Sequence, residues 1–176
     1  MKSLVWRLLN LLNKYISRPR MILGYKRSDG VYLAQTRLSN TVVVVNPQNL
    51  NIANNVFIWH HSILECSNHI NIAEGCQIGA YVLIASHSSH LAIRLYGKHY
   101  MHYNGQHLGY IKGSVTIGAF CFIGPHAVIM PHSTIGKGSI VAAFSLVKGD
   151  FPDFAIIAGN PATIVGDTRE LDKKKS

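Results

Sequence analysis

The chain has 176 residues, 48% of them hydrophobic and 14% charged, which suits one packed domain and excludes a disordered tail or two ordinary domains. Lys and Arg number 17 against 8 Asp and Glu, and the resulting charge of +9 favours polyanionic ligands such as a nucleotide, a phospholipid or a nucleic acid. No apolar run reaches the roughly 20 residues of a membrane-spanning helix, and three cysteines without a CxxC pair argue against a disulfide framework and for a reducing compartment.

Residues 1–27 carry seven cations and no acid. Leu4, Leu8, Leu11, Leu12 and Tyr15 recur at helical spacing, with Arg7, Asn10, Lys14 and Ser17 on the opposite face, so a basic amphipathic helix is expected there. It would cap the open end of the domain or touch an anionic membrane surface, where each nearby cation contributes about 1 kcal/mol. Arg7 interrupts the apolar stretch and no small-x-small cleavage site follows, so a secretory signal is not expected.

From residue 50 a six-residue period organises the chain. Aliphatics recur at Ile52, Ile58 and Leu64, then, shifted by two, at Ile72, Ile78 and Ile84, and again at Ile117, Ile123, Ile129, Ile135, Val141 and Val147. Four residues after these last come Cys121, Ala127, Ser133, Ser139 and Ser145, all small, and glycine follows the aliphatic at 118, 124 and 136. Neither the two-residue alternation of a strand nor the 3.6-residue turn of a helix gives this pattern. Short strands joined by tight corners do. The aliphatic then points into a triangular interior, the small residue fits a cramped corner, and glycine suits the corner backbone. Three hexads make a coil of about eighteen residues, and stacked coils bury a continuous ladder.

Regular repeats stop after Ile84 and resume near Ile111. The interruption, SHSSHLAIRLYGKHYMHYNGQHLGYIKGS, holds five of the ten histidines and four tyrosines, a length and composition that point to function. If Ile111, Ile117 and Ile123 repeat the faces of Ile72, Ile78 and Ile84, then His87 and His126 project outward from one face, about 4.8 Å apart. An imidazole there suits a general base. Glu65, on the preceding coil, could orient it or bind an acceptor hydroxyl. Glu65 and Glu74 are the only acids between residues 50 and 149, which leaves no material for paired-carboxylate catalysis. No Gly-rich phosphate loop leads from a strand into a helix, and there is no Gly-x-Ser-x-Gly. His90, His99, His102 and His107 are read as surface or packing residues, with acceptor binding the alternative. His60, His61, His69 and His132 are read as structural, and Cys76 and Cys121 as packing residues.

The segments IGAFCFIGPHAVIMPHSTIGKGSIVAAFSLV and IIAGNPATIV resemble the hexapeptide-repeat acyltransferases, among them the galactoside, maltose and xenobiotic acetyltransferases and many polysaccharide O-acetyltransferases. The resemblance covers about residues 50–166. It implies an all-β fold, a left-handed parallel β-helix over 28–166 with a projecting loop at 88–110 and a basic tail at 167–176, assembled as a homotrimer. SHSSHLAIR resembles the active-site segment, with His87 as the base and Arg94, like His90 and His126, toward the acceptor. The implied reaction is direct transfer of acetyl from acetyl-CoA to a sugar hydroxyl, with no metal, in surface-polysaccharide synthesis in the cytoplasm or at the inner face of the membrane.

The family's coenzyme site maps to Phe122, Ala143, Ser145, Gly159, Asn160 and Pro161. Several positions depart from the pattern. Lys148 is displaced by one from the usual lysine, Thr163 stands where a basic residue is common, Phe144 replaces a glycine, and Pro125 removes a backbone donor. Phosphate contacts are therefore expected from Lys148, Arg169 or the 173–175 lysines. Two alternatives are a zinc hydratase resembling the γ-class carbonic anhydrases, with His87 and His126 as ligands, and a non-catalytic β-helix whose basic end binds a membrane or nucleic acid. No nucleic-acid-reading motif is present.

Overall fold

The computed structural model describes residues 18–105 and 108–173. The helix expected within residues 4–16, the 174–175 lysines and His107 lie outside the described residues. The chain enters as an antiparallel hairpin of β1 (Met21–Lys26) and β2 (Tyr32–Ser39), then winds through three sides in turn. β3 (Val43–Val45) and β4 (Leu50–Ile52) complete the first coil, and β5 (Phe57–Ile58), β6 (Ile63–Glu65) and β7 (Ile70–Ile72) form the second. β8 (Gln77–Ile78) and β9 (Leu83–Ala85) begin the third. The chain then leaves through β10 (His87–Ser88) and helix α1 (His90–Tyr96), returns through β11 (Ile111–Lys112), and closes the coil with β12 (Val115–Ile117). β13 (Phe122–Ile123), β14 (Val128–Ile129), β15 (Ser133–Ile135), β16 (Ile140–Val141), β17 (Leu146–Val147) and β18 (Asp150–Phe151) make two more coils. β19 (Ala155–Gly159), β20 (Ala162–Asp167) and α2 (Thr168–Lys173) finish the domain.

Each side is a sheet running along the stack: β1-β2-β5-β8-β13-β16-β19-β20, then β3-β6-β9-β14-β17, then β4-β7-β12-β15-β18. Coil-to-coil pairing is parallel throughout, and antiparallel hairpins close both ends of the first side. The hexad aliphatics fill the interior. Ile72, Ile78, Ile84, Ile117, Ile123, Ile129 and Ile135 are all 2% exposed or less. Cys76 and Cys121 are buried free thiols packed among them.

The register corrects the expected phase. Ile72 pairs with Ile117, Ile78 with Ile123 and Ile84 with Ile129, so the ladder resumes at Ile117. Ile111 instead sits on the return strand, opposite Ser88. Coil length also varies. Phe57 pairs with Gln77, a 20-residue coil, whereas Phe122 pairs with Ile140, an 18-residue coil. The two extra residues account for the shift between the Ile52 and Ile72 series.

Glycine has a different reason from the one expected. At the corners the left-handed backbone is taken largely by other residues, among them Tyr81, Phe120, His126, His132, Phe144 and Phe154, with φ near 60°. The repeat glycines are absent from the positive-φ positions. They lie where each coil meets the backbone of the next: a Cβ on Gly118 would stand 2.6 Å from the Lys137 nitrogen, and one on Gly136 2.3 Å from the Asp153 nitrogen.

Both ends depart from the expected boundaries. β1 falls within the 1–27 segment yet belongs to the first side. The 167–176 segment is docked at its start, where Thr168 is buried and its hydroxyl donates to the Gly138 carbonyl at 2.8 Å.

Candidate active site

The excursion leaves the stack at the corner between the second and third sides. That same corner carries the 3-10 turn Pro47–Asn49 in the first coil and Cys66–His69 in the second. Backbone bonds fix the departure: the Ser86 amide donates to the Glu65 carbonyl at 3.0 Å, and the Gly113 amide donates to the Ser86 carbonyl at 2.9 Å. The Ser86 side chain is buried, donating to the Glu65 carbonyl and accepting from the Asn68 amide. His87 therefore stands on a rigid rung one coil beyond Glu65.

The Glu65 carboxylate meets Nδ1 of His87 and also accepts from the amide and hydroxyl of Ser67. Partial burial raises the cost of ionising Glu65, but the hydrogen bonds from Ser67 and His87 outweigh it and hold its pKa below the ordinary carboxylate value. A charged Glu65 fixes the tautomer of a neutral His87: Nδ1 carries the proton and Nε2 keeps the lone pair. The ring is held on one face by Tyr110, stacked at 5.1 Å between centroids and 8° between planes. Burial, followed by the negative charges that Tyr100 and Glu65 carry when ionised, pushes the Tyr110 phenol up, so it remains an O–H donor.

Next to this pair a cavity of about 620 Å³ opens along the corner, within the range of small-molecule sites. Ser67 and Tyr110 connect it to the dyad, Asn46, Gln48 and Asn49 line it from the first coil, and Tyr100 covers it from the excursion. Hydroxyls and amides dominate the wall, which suits a polyhydroxylated ligand.

Glu65 is thus brought to His87, but the other residues expected near it are not. His126 lies at the corner between the first and second sides, in a stack that runs His61, Tyr81, His126, Phe144 with centroids 4.8–5.0 Å apart. The six-residue difference in phase, one side of the coil, moves it there, so within one chain His87 and His126 stand at different corners and do not share a metal ion. Among the described residues no three His, Cys, Asp or Glu side chains gather as a metal site. His90 heads α1, its Nδ1 2.7 Å from the Ser88 hydroxyl. Arg94 is exposed on α1 and lines a separate recess with Leu91, Leu95 and Gly109.

The residues mapped to the coenzyme are spread out: Phe122 opens β13 on the first side, Ala143 and Ser145 stand at the corner between the first and second sides, and Lys148 follows β17 at the corner between the second and third. Phe122 is 41% exposed, and Ala143 and Lys148 are exposed. Gly159, Asn160 and Pro161 form the turn between β19 and β20, with a cis peptide bond before Pro161. Ser145 departs from a surface role. Its side chain is buried and accepts from the Gly159 amide at 3.3 Å, and its carbonyl accepts from Val128. Phe144 takes φ of 61°, which explains why glycine suits that place. Arg169 is held by Asp167 and lies 5.0 Å from the Phe154 ring centroid, and Lys173 pairs with Glu170.

Tyr110, Lys112 and the Asn46–Asn49 turn were not singled out from the sequence. Hexad spacing alone makes Ile111 an inward repeat, which hides the return strand. The signal against that reading is Cys76 four residues after Ile72 and Cys121 four after Ile117, which sets the phase.

Linkage gives a test of the dyad. Because the native pKa of Glu65 is lowered, its contribution to stability is full above the ordinary carboxylate value and fades as pH falls through the lower native one. Glu65→Gln is expected to flatten the acid limb of the melting temperature against pH, measured from pH 7 downward.

The family described as bacterial transferase hexapeptide (six repeats) matches residues 114–149. A Staphylococcus aureus (strain MRSA252) protein provisionally named an acetyltransferase is 32% identical over 77 residues, 43% of this chain and 37% of its own length. The galactoside O-acetyltransferase of Escherichia coli K12 is 39% identical over 59 residues, 34% of this chain and 29% of that enzyme. The matched stretches thus span little more than a third of these relatives at most. Among solved structures, a galactoside acetyltransferase in complex with coenzyme A superposes with a TM-score of 0.63 at 24% identity, over 75% of this chain and 62% of that one. The N-acyltransferase AntD from Bacillus cereus, in complex with dTDP and 3-hydroxybutyryl-CoA, gives 0.59 at 23% identity, over 80% and 85%. Residues 114–149 thus carry repeats similar to those of the bacterial hexapeptide transferases, and the likeness to these solved structures shows the fold, a left-handed parallel β-helix.

Proposed function

We propose that the protein transfers an acetyl group from acetyl-CoA to a sugar hydroxyl, with His87 as general base. The observation that carries this reading is the Glu65–His87 pair, fixed on adjacent coils at the edge of a hydroxyl- and amide-lined cavity. His87 Nε2 accepts the proton of the acceptor hydroxyl as its oxygen attacks the thioester carbonyl. The tetrahedral intermediate collapses with cleavage of the C–S bond, and the imidazolium returns its proton to the departing sulfur. Glu65 stabilises that imidazolium and keeps the ring oriented.

The donor site on this reading uses Phe122, Ala143, Gly159, Asn160 and Pro161, with Ser145 acting through the backbone and Lys148 toward the phosphates. Ala143 and Ser145 stand at the far end of the second side from His87, Phe122 and the 159–161 turn belong to the first side, and Lys148 lies at the His87 corner two coils further along. A homotrimer, in which the corner of one copy faces the other corner of its neighbour, would complete the site. Sedimentation of a trimer would support that arrangement. On this reading the acetylated sugar belongs to surface-polysaccharide synthesis, in the cytoplasm or at the inner face of the membrane. Among the described residues no helix is long and apolar enough to cross a membrane.

The direct test is incubation with acetyl-CoA and a panel of sugars, with mass spectrometry of the products. Sugar-dependent release of CoA with a matching O-acetyl sugar is expected. Release of CoA without an acetylated sugar would overturn the reading.

A further inference from the structure

Lys112 stands out on the wall of the cavity. It is the cross-strand partner of His87, which puts the two Cα atoms about 4.5–5.5 Å apart. Its ammonium lies 5.4 Å from the centroid of Tyr110, the ring that stacks on His87. Among the residues that line the cavity it is the charged one, and no carboxylate faces it there. The nearby acid, Glu65, is turned to His87 and Ser67. Among the described residues Lys112 has no ion-pair partner. The rest of the wall offers donors of matching kind: the Tyr110 hydroxyl and the side-chain amides of Gln48 and Asn49. Amides alone would satisfy a neutral polyol. An ammonium beside the base adds a preference that neutral hydroxyls do not use.

We propose that Lys112 selects an acceptor carrying a negative charge close to the hydroxyl that reacts, either a uronate carboxylate or a sugar phosphate. This rests on the sugar-acetyltransferase reading above and narrows its substrate class. Attraction of an anion to Lys112 brings the neighbouring hydroxyl to Nε2 of His87, because the two side chains share one two-stranded ribbon. Lys112 is a specificity residue and takes no part in proton transfer.

The test compares three acceptors with the full-length protein and acetyl-CoA: methyl β-D-glucuronide, glucose 1-phosphate and methyl β-D-glucoside. Wild type is expected to favour one or both anionic sugars over the neutral glucoside by about 10- to 100-fold in kcat/KM, the worth of one charged hydrogen bond. Comparison of the two anionic arms tells carboxylate from phosphate. Lys112→Met should raise KM for the preferred anion with little change in kcat and collapse the preference, while Lys112→Arg should restore it. A structural role through Tyr110 would instead lower kcat for all three acceptors alike, and that result would overturn the proposal. Equal use of neutral and anionic sugars by wild type would overturn it too, leaving the acetyltransferase reading intact. Absence of acetyl transfer to any sugar would sink both, and is told apart by the missing O-acetyl product.

Discussion

Replacing His87 with alanine is expected to lower kcat for acetyl transfer by about 10²- to 10⁴-fold, the usual contribution of a positioned general base. The hydroxyl of a sugar is a poor nucleophile until its proton is taken, and on the proposed reading Nε2 of His87 takes it, from a ring held next to the cavity by Tyr110. Glu65 engages Nδ1 and Tyr110 fixes the ring plane, so the geometry is built before any acceptor arrives. Little change in the KM for acetyl-CoA is expected, since the residues assigned to the donor lie on the first side or at its corner with the second, apart from Lys148, which stands two coils along from His87. Added imidazole should restore part of the lost rate by filling the space left by the ring. The exposed His99 and His102 serve as controls, and alanine at either should leave kcat close to wild type. Full turnover in the His87→Ala variant, with its circular dichroism unchanged, would remove the base from the mechanism. Glu65→Ala should cost less than His87→Ala, because it frees the ring and removes the charge that stabilises the imidazolium while the base itself remains.

Much of this architecture is legible in the sequence because the interior of a three-sided coil admits so few side chains. Ile117, Ile123, Ile129 and Ile135 recur at sixes for the reason that each fills one side of the prism, and the small residues at Cys121 and Ser133 follow from the corner. The pairing of Glu65 with His87 is visible too, since they stand on neighbouring coils at one corner. What periodicity does not carry is the phase across an insertion. Ile111 has the right type and the right distance from Ile117, yet the strand it occupies runs antiparallel to β10 outside the stack. That one hexad of error carried His126 to the wrong corner. The cavity wall escaped for a related reason: Asn46, Gln48 and Asn49 sit in a 3-10 turn without any repeat, and only the folding of coil upon coil sets them beside Tyr110. Lys112 reads as one more surface lysine until its strand partner is known.

Gly124→Ala is expected to destabilise the fold by about 3 kcal/mol, at the upper end of the usual cost of overpacking. The added Cβ would stand 2.5 Å from the Ala143 nitrogen and 2.8 Å from both the Ala142 carbonyl carbon and the Val141 oxygen. All three are backbone atoms of the next coil, so no side-chain rotation relieves the contact. Relief requires the two coils to move apart. They are held together there by Gly124 donating to Val141 at 2.8 Å and by Phe144 donating to Pro125 at 3.1 Å. The expected fall in melting temperature is about 6–12 °C for a domain of this size. Gly30→Ala provides the contrast: φ of 91° strains an alanine, but nothing lies within 4 Å, so only a conformational cost of about 1–2 kcal/mol applies. Ala143→Gly should not rescue Gly124→Ala, because the blocking atom is the main-chain nitrogen rather than the methyl group. A melting temperature for Gly124→Ala at or above that of Gly30→Ala would mean that the coils have room for a methyl group between them. The glycine after each aliphatic would then need a reason other than the close approach of stacked backbones.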